Sequence, residues 1–265
     1  MSSALELAVR WEWIPHNPAA QAKKPRRPAP SPDPPTPEEA ARIVEAASEQ
    51  DEGWGTLVWL VMMTGARRGE IAALRWFDLH LKTGVLEIRR AYGRRAGKAV
   101  EKGTKTHQMR RVSLDQATIL LLTEHKNRYI ARVKALGLDA DDAAHVFSYE
   151  ADHSRPCSPD ALTHRYRRMC TGLGIDTHLH ALRHYTATEL ISAGVDVRTV
   201  AGRLGHGGGG TTTLQVYAAW VDESDKRAAE VLPGRMSPPS ARGDQVAADE
   251  AVEGNVVRLR PRRGK

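Results

Sequence analysis

Residues 180–217 read HALRHYTATELISAGVDVRTVAGRLGHGGGGTTTLQVY. The apolar spacing predicts helices over 181–193, 196–204 and 211–219. At a helix N-terminus, positions i and i+3 share a face, so His180 and Arg183 converge on one anion while Leu182 is buried on another side. A guanidinium is a planar fork matched to phosphate, and an imidazole donates or shuttles a proton near neutral pH. Gly205 terminates the second helix and leaves His206 just beyond its end. The glycines at 207–210 are costly to order, and they allow the helix carrying Tyr217 to move. Each piece also has a plainer reading. An isolated His-x-x-Arg is a helix cap with a surface ion pair, and a lone tyrosine on an amphipathic helix belongs to a core. Residues 187–217 also read as a helix-turn-helix, with Gly194 in the turn and Val197, Val200 and Leu204 on the buried face.

Upstream, Thr64-Gly-Ala-Arg67-Arg-Gly-Glu70 forms a tight turn between two helices, expected near 54–64 and 68–76. Gly65 frees the backbone, Arg67 projects from the turn, and Glu70 orients Arg67 or a neighbouring histidine. Thr36-Pro37-Glu38-Glu39 marks an earlier helix start that runs to about Gln50. Val85–Ile88 alternates as a strand, and Arg111–Leu114 returns as its partner. Between Arg89 and Arg111 stand nine Lys or Arg against one acid, Glu101. A basic ribbon of that kind suits DNA backbone or groove, with Arg89, Arg90, Arg94, Arg95, Lys102, Arg110 and Arg111 as the contacts; a solvated hairpin is the alternative. A long helix follows Asp115, with Leu120, Leu121 and Ile130 at apolar positions, and further helices fit 159–171 and 221–231. The fold class is therefore mainly α with a small antiparallel β-hairpin or sheet.

The chain has 265 residues, a formal net charge of +7 and a pI near 9.6. Excess positive charge favours an anionic partner, of which nucleic acid is the commonest. Two cysteines, Cys157 and Cys170, make no disulfide framework, which suits a reducing cytosol. The longest apolar run, Leu57 to Met63, is too short to span a bilayer, so no membrane partner is expected. No phosphate loop, dinucleotide fingerprint or paired metal-ligand spacing is present, so no cofactor is expected. Residues 15–37 hold most of the prolines and read as a stiff linker after a short helix at 4–14. Residues 234–265 are polar and end in RLRPRRGK, a tail expected to be disordered.

Taken in order, an arginine turn, a hairpin lysine, His-x-x-Arg, a second histidine and a tyrosine resemble the tyrosine recombinases, also called phage integrases. TGARRGEIAALRW, GTKTHQMRRVSL, HALRH and RLGHGGGGTTTLQVY carry the resemblance, over about residues 37–231. It implies the catalytic-domain fold of DNA breaking-rejoining enzymes. It also implies Arg67 as the first catalytic arginine, Glu70 as its supporting acid, and Lys105 as the hairpin lysine, with Lys102 in competition. His180 and Arg183 become the His-x-x-Arg pair, His206 the second histidine and Tyr217 the nucleophile. The phage relatives' histidine soon after the tyrosine is replaced here by Ala218-Ala219-Trp220.

Further implications are a 3′-phosphotyrosyl intermediate, strand exchange without ATP or metal, double-stranded DNA as partner and a homo-tetramer on two sites. Accessory DNA-bending or directionality proteins and a cytoplasmic, nucleoid-associated location also follow from the resemblance. Residues 1–36 then read as the last helix of a core-binding domain plus linker, 37–233 as the catalytic domain, and 234–265 as a basic tail. The expectation is a chain lacking most of its core-binding clamp, which binds DNA weakly alone. Alternatives are a non-catalytic DNA-binding protein, a type IB topoisomerase-like relaxing enzyme, an inactive remnant and, least, a histidine-based metal hydrolase.

Overall fold

The computed structural model describes residues 2–20, 33–95, 98–103 and 109–206. Lys105, Tyr217, the helices expected at 211–219 and 221–231, and the C-terminal tail lie outside the described residues. The chain divides into two units, Met1–Ser31 and Pro32–Lys265. Within the first, α1 spans Ser2–Arg10. It is shorter than the helix expected over 4–14, because the backbone turns at Trp11–Trp13 with the two indoles edge to face at 4.8 Å.

The second unit begins with α2 (Pro37–Gln50) and α3 (Glu52–Thr64). The start of α2 is a capping box: the Glu39 amide donates to Thr36 Oγ1 and the Thr36 amide to Glu39 Oε2. Ala40, Ile43 and Ala47 form its buried stripe at helical spacing. Asp51 caps α3 by accepting from the Trp54 amide at 2.7 Å. Nearly every side of α3 is covered, from Trp54 through Leu57, Val58, Leu60 and Val61 to Thr64, so it is the central helix of the core.

Beyond the turn, α4 (Arg68–Ala72) stops four residues short of the helix expected to 76. The backbone leaves the helix to pair with the 144–146 segment. The Val146 amide donates to the Leu74 carbonyl at 2.9 Å and the Trp76 amide to the Ala144 carbonyl at 3.2 Å. This lets Trp76 sink fully into the core, stacked on Tyr129 at 5.3 Å.

Strands β1 (Leu79–His80), β2 (Val85–Ile88) and β5 (Arg110–Ser113) form one antiparallel sheet in the order β1-β2-β5. β2 pairs β5 with Val85 opposite Ser113 and Ile88 opposite Arg110, the returning strand expected from the sequence. Between them β3 (Arg90–Arg95) and β4 (Lys98–Gly103) make a separate two-stranded ribbon. The ribbon seats directly on α4: a Cβ built on Gly69 would overlap the Tyr92 carbonyl, so only glycine permits the approach.

Helix α5 (Gln116–Ala135) corrects the sequence reading. Leu120 and Ile130 are exposed, and the buried face is Thr118, Leu122, His125, Tyr129 and Val133. Polar residues occupy it because backbone groups meet them. His125 Nε2 bonds the Val146 carbonyl at 2.8 Å, and Tyr129 Oη donates to the Asp141 carbonyl at 3.1 Å. Helices α6 (Pro159–Gly172), α7 (Ala181–Ser192) and α8 (Val197–Leu204) complete the described chain. Ala187, Ile191, Val200 and Leu204 form a small second core between α7 and α8. No described helix is long and apolar enough to cross a membrane.

Candidate active site

The site is built where α3 ends. A helix leaves its last carbonyls without intrahelical partners, and buried carbonyls must find donors. Here the donors come from other elements. Thr186 Oγ1 on α7 donates to the Met62 carbonyl at 2.6 Å, and Arg203 Nη2 on α8 donates to the Met63 carbonyl at 2.9 Å. Arg183 Nη1 donates to the Gly65 carbonyl at 2.6 Å. Gly65 closes α3 with φ +61°, and a Cβ there would overlap the Leu204 side chain. Satisfying one helix end thus draws α7, α8 and the arginine turn to a single corner.

Two residues later, Arg67 is the N-cap of α4 and Glu70 stands in its first turn. The Glu70 carboxylate accepts from the Arg67 amide at 2.8 Å and from Arg67 Nη1 at 2.9 Å. An acid placed there answers an orphan amide and the positive helix end. It also accepts a bidentate pair from Arg110 on β5, at 3.0 and 2.6 Å. Burial pushes the Glu70 carboxyl up, but hydrogen bonds and charge from Arg110 and Arg67 outweigh it and hold it down at about 2. Arg67 Nη2 reaches across to the Gly205 carbonyl at 3.1 Å, at the left-handed residue that ends α8 (φ +69°). His206 follows at once, its amide bonded to the Ala201 carbonyl at 2.9 Å.

His180 precedes α7 and stands at the rim, its ring edge-on to His184 at 5.1 Å. Desolvation lowers the His180 imidazole to about 4, helped by His184, Arg183, His178 and Arg67. The His206 imidazole is also held at about 4, by desolvation and then by Arg183, Arg67 and Arg110. Both histidines are therefore neutral at pH 7. A cavity of about 390 Å³ opens beside His180, lined also by Arg67, Arg68, Thr163 and His178 among others. Among the described residues, the guanidiniums of Arg67, Arg110, Arg183 and Arg203 outnumber the Glu70 carboxylate at this corner. Its complement is an anion, and guanidinium forks suit a tetrahedral phosphate.

The structure thus brings Arg67, Glu70, His180, Arg183 and His206 to one place. Lys105 and Tyr217 lie outside the described residues. Of the expected DNA contacts, Arg94, Arg95 and Lys102 belong to the ribbon strands, and their side chains are likewise outside the described residues. Arg89 pairs with Glu87 and Asp78, Arg90 with Asp78 and Glu101, and Arg111 with Glu87 at 2.9 Å. Counting only Glu101 in that window overlooked Asp78 and Glu87, which the sheet brings alongside.

Arg110, one of the expected DNA contacts, stands on β5 with a side chain only 9 % exposed, inside the site wall. The signal was in the strand period. Side chains two apart share a face, so the buried Val112 puts Arg110 inward and Arg111 outward. Arg203, whose guanidinium bonds the Met63 and Ser113 carbonyls, was not picked out from the sequence. The α7–α8 pair does have a helix-turn-helix outline, with Gly194 at φ +83°. Its first helix, however, gives Arg183 to the interior, where it is 2 % exposed.

A family model described as the Phage integrase family matches residues 36–223. Among curated proteins, the chain is 27 % identical over 188 residues to a Tyrosine recombinase XerC-like protein of Caldanaerobacter subterraneus subsp. tengcongensis, covering 66 % of this chain and 48 % of that one. It is 27 % identical over 198 residues to the ICEBs1 integrase of Bacillus subtilis, covering 74 % and 53 %. Against Tyrosine recombinase XerA of Pyrococcus furiosus it is 27 % identical over 228 residues, 86 % of this chain and 71 % of the relative. The chain therefore spans about half the length of the first two relatives. The fold matches a crystal structure of XerA recombinase (TM-score 0.57, 22 % identity, 89 % and 75 % of the two chains). It also matches the Tn1549 transposon integrase (TM-score 0.63, 18 % identity, 87 % and 76 %).

Proposed function

We propose that this chain, which belongs to the phage integrase family, cuts and rejoins double-stranded DNA at specific sites through a tyrosine–phosphate intermediate. The observation that carries the reading is the shared corner itself. Arg183 holds the Gly65 carbonyl, and Arg67, two residues on, holds the Gly205 carbonyl beside His206. Side chains separated by well over a hundred positions are thereby aimed at one volume of excess positive charge.

In this reading the Tyr217 phenol gives its proton to solvent, its oxygen attacks the phosphorus and the P–O5′ bond breaks. The product is a 3′-phosphotyrosyl link and a strand ending in a 5′-hydroxyl. Lys105 gives its proton to the departing 5′-oxygen. Negative charge builds on the non-bridging oxygens and is met by Arg67, Arg183 and the two histidines. The neutral imidazoles donate hydrogen bonds rather than charge. Because the covalent link conserves the energy of the broken bond, a second 5′-hydroxyl reverses the step and regenerates Tyr217. Residues 37–233 are the catalytic domain, and Arg89, Arg90, Arg94, Arg95, Lys102 and Arg111 lie along the DNA backbone. The Tn1549 integrase neighbour was solved with circular intermediate DNA. A lambda integrase neighbour was solved as a tetramer on a Holliday junction. By analogy this chain works as a homo-tetramer on two sites.

The test is a nicked double-stranded oligonucleotide library incubated with the chain and run on a denaturing gel. A band of DNA-linked protein is expected with wild type and none with Tyr217→Phe. Equal bands from both, or relaxation of supercoiled plasmid without any recombinant product, would reject recombination by Tyr217.

A further inference from the structure

We infer that Arg110 is a positioning residue: it braces Arg67 and the end of α8 through Glu70 and the Arg203 carbonyl, and does not itself hold DNA. The inference rests on the phosphate-site reading of this corner. Three contacts carry it. Both terminal nitrogens of Arg110 grip the Glu70 carboxylate at 3.0 and 2.6 Å, on the carboxylate that also binds the Arg67 side chain and amide. Arg110 Nε donates at 2.9 Å to the Arg203 carbonyl, in the last turn of α8. Its side chain packs where a Cβ on Gly205 would stand, the nearest atom being Arg110 Nη1 at 2.7 Å. Each of its three nitrogens is thus engaged on a protein acceptor, and the side chain is 9 % exposed. A guanidinium so placed has little left for a phosphate outside.

The geometry also explains why arginine is needed. One planar group must span a carboxylate on α4 and a carbonyl on α8, with donors in a fixed fork. A lysine supplies the charge but not the fork. Arg110 further ties β5, the strand that follows the Lys105 segment, to the same carboxylate. It joins β5 to Arg67 and to the residue before His206.

Arg110→Lys in the full chain, with Glu70→Gln and their double variant, tests this. Positioning errors of the order of an ångström cost about a hundredfold in rate. Arg110→Lys is therefore expected to slow covalent adduct formation by about ten- to a hundredfold, with DNA affinity within about twofold of wild type. The rate losses of Arg110→Lys and Glu70→Gln should not multiply in the double variant, because both break one brace. A DNA contact would behave differently: Arg110→Gln would weaken binding and lower the slope of log K against log salt by about one. That result, or an unchanged adduct rate in Arg110→Lys, overturns the inference.

A readout free of catalysis separates this inference from the functional reading. Orthophosphate binding to the chain, followed at the His180 and His206 ring protons, is expected to weaken several-fold in Arg110→Lys although charge is kept. Unchanged phosphate binding there counts against the brace. Absence of adduct from wild type, with the phosphate result as expected, rejects recombination and leaves the brace standing.

Discussion

Glu70 is 4 % exposed and accepts from two guanidiniums and a backbone amide. Its carboxyl lies at about 2 against an ordinary 4.5. A carboxylate lowered on folding contributes stability that is fully present above about pH 4.5 and lost as pH falls through about 2. The lowering corresponds to about 3 kcal/mol. Glu70→Gln should therefore reduce the unfolding free energy at pH 7 by about that amount, and its stability should change less than wild type's between pH 4.5 and 2; urea titrations at several pH values measure both. The two site histidines have the opposite consequence. Both are neutral when folded, at about 4, while an unfolded histidine titrates near 6.5. The unfolded chain binds more protons between those values, so they make the fold weaker as pH drops from 6.5 toward 4. A phosphate in the site raises both imidazoles, so its binding takes up protons. Sulfate, an anion of the same shape whose charge is constant over this range, should therefore bind more tightly at pH 5 than at pH 7, and calorimetry in buffers of different ionisation enthalpy should register the uptake. Affinity independent of pH would mean that neither ring faces the anion.

At the scale of elements, the decisive feature is the left-handed end of α3. Replacing Gly65 by alanine forces a side chain into φ +61°, which costs about 1–2 kcal/mol, and pushes it against Leu204. The backbone must shift, and the Gly65 carbonyl shifts with it, away from Arg183. The expected outcome is a loss of at least about 2 kcal/mol in chemical unfolding together with a lower adduct rate in the folded protein. Thr36→Ala removes one capping bond far from the corner and should cost about 1 kcal/mol with the rate per folded molecule unchanged. Most elements were legible in the sequence because they are local. The Thr36 box, the Gly65 and Gly205 stops and the β2–β5 alternation each declare themselves within a few residues. What was not legible depended on partners far away. Helix α4 ends early because Leu74 and Trp76 pair with residues 144–146. The inward face of α5 carries His125 and Tyr129 because carbonyls at 146 and 141 wait for them. The order of Arg67, His180, Arg183 and His206 picked out residues that the fold brings together, whereas the strand period that turns Arg110 inward was masked by the charges around it.

For the whole molecule, a net charge of +7 and a basic ribbon seated on α4 predict binding that is strongly salt-dependent. Neutralising Arg94 and Arg95 together should lower the slope of log K against log salt by about two and weaken every sequence alike, read by fluorescence anisotropy. Arg111 is exposed but tied to Glu87, so Arg111→Gln should move that slope less than either ribbon arginine. Four site side chains and the Tyr217 phenol must act on a single scissile phosphate if strands are to be exchanged. The most direct measurement is a structure of the chain with vanadate and DNA strands ending at the cleavage point. One vanadate is expected within about 2.7–3.2 Å of donors on Arg67, Arg183 and His206, with the Tyr217 phenol oxygen as an apical ligand. A vanadate held without either arginine, or with Tyr217 absent from its coordination, would contradict a shared phosphate site.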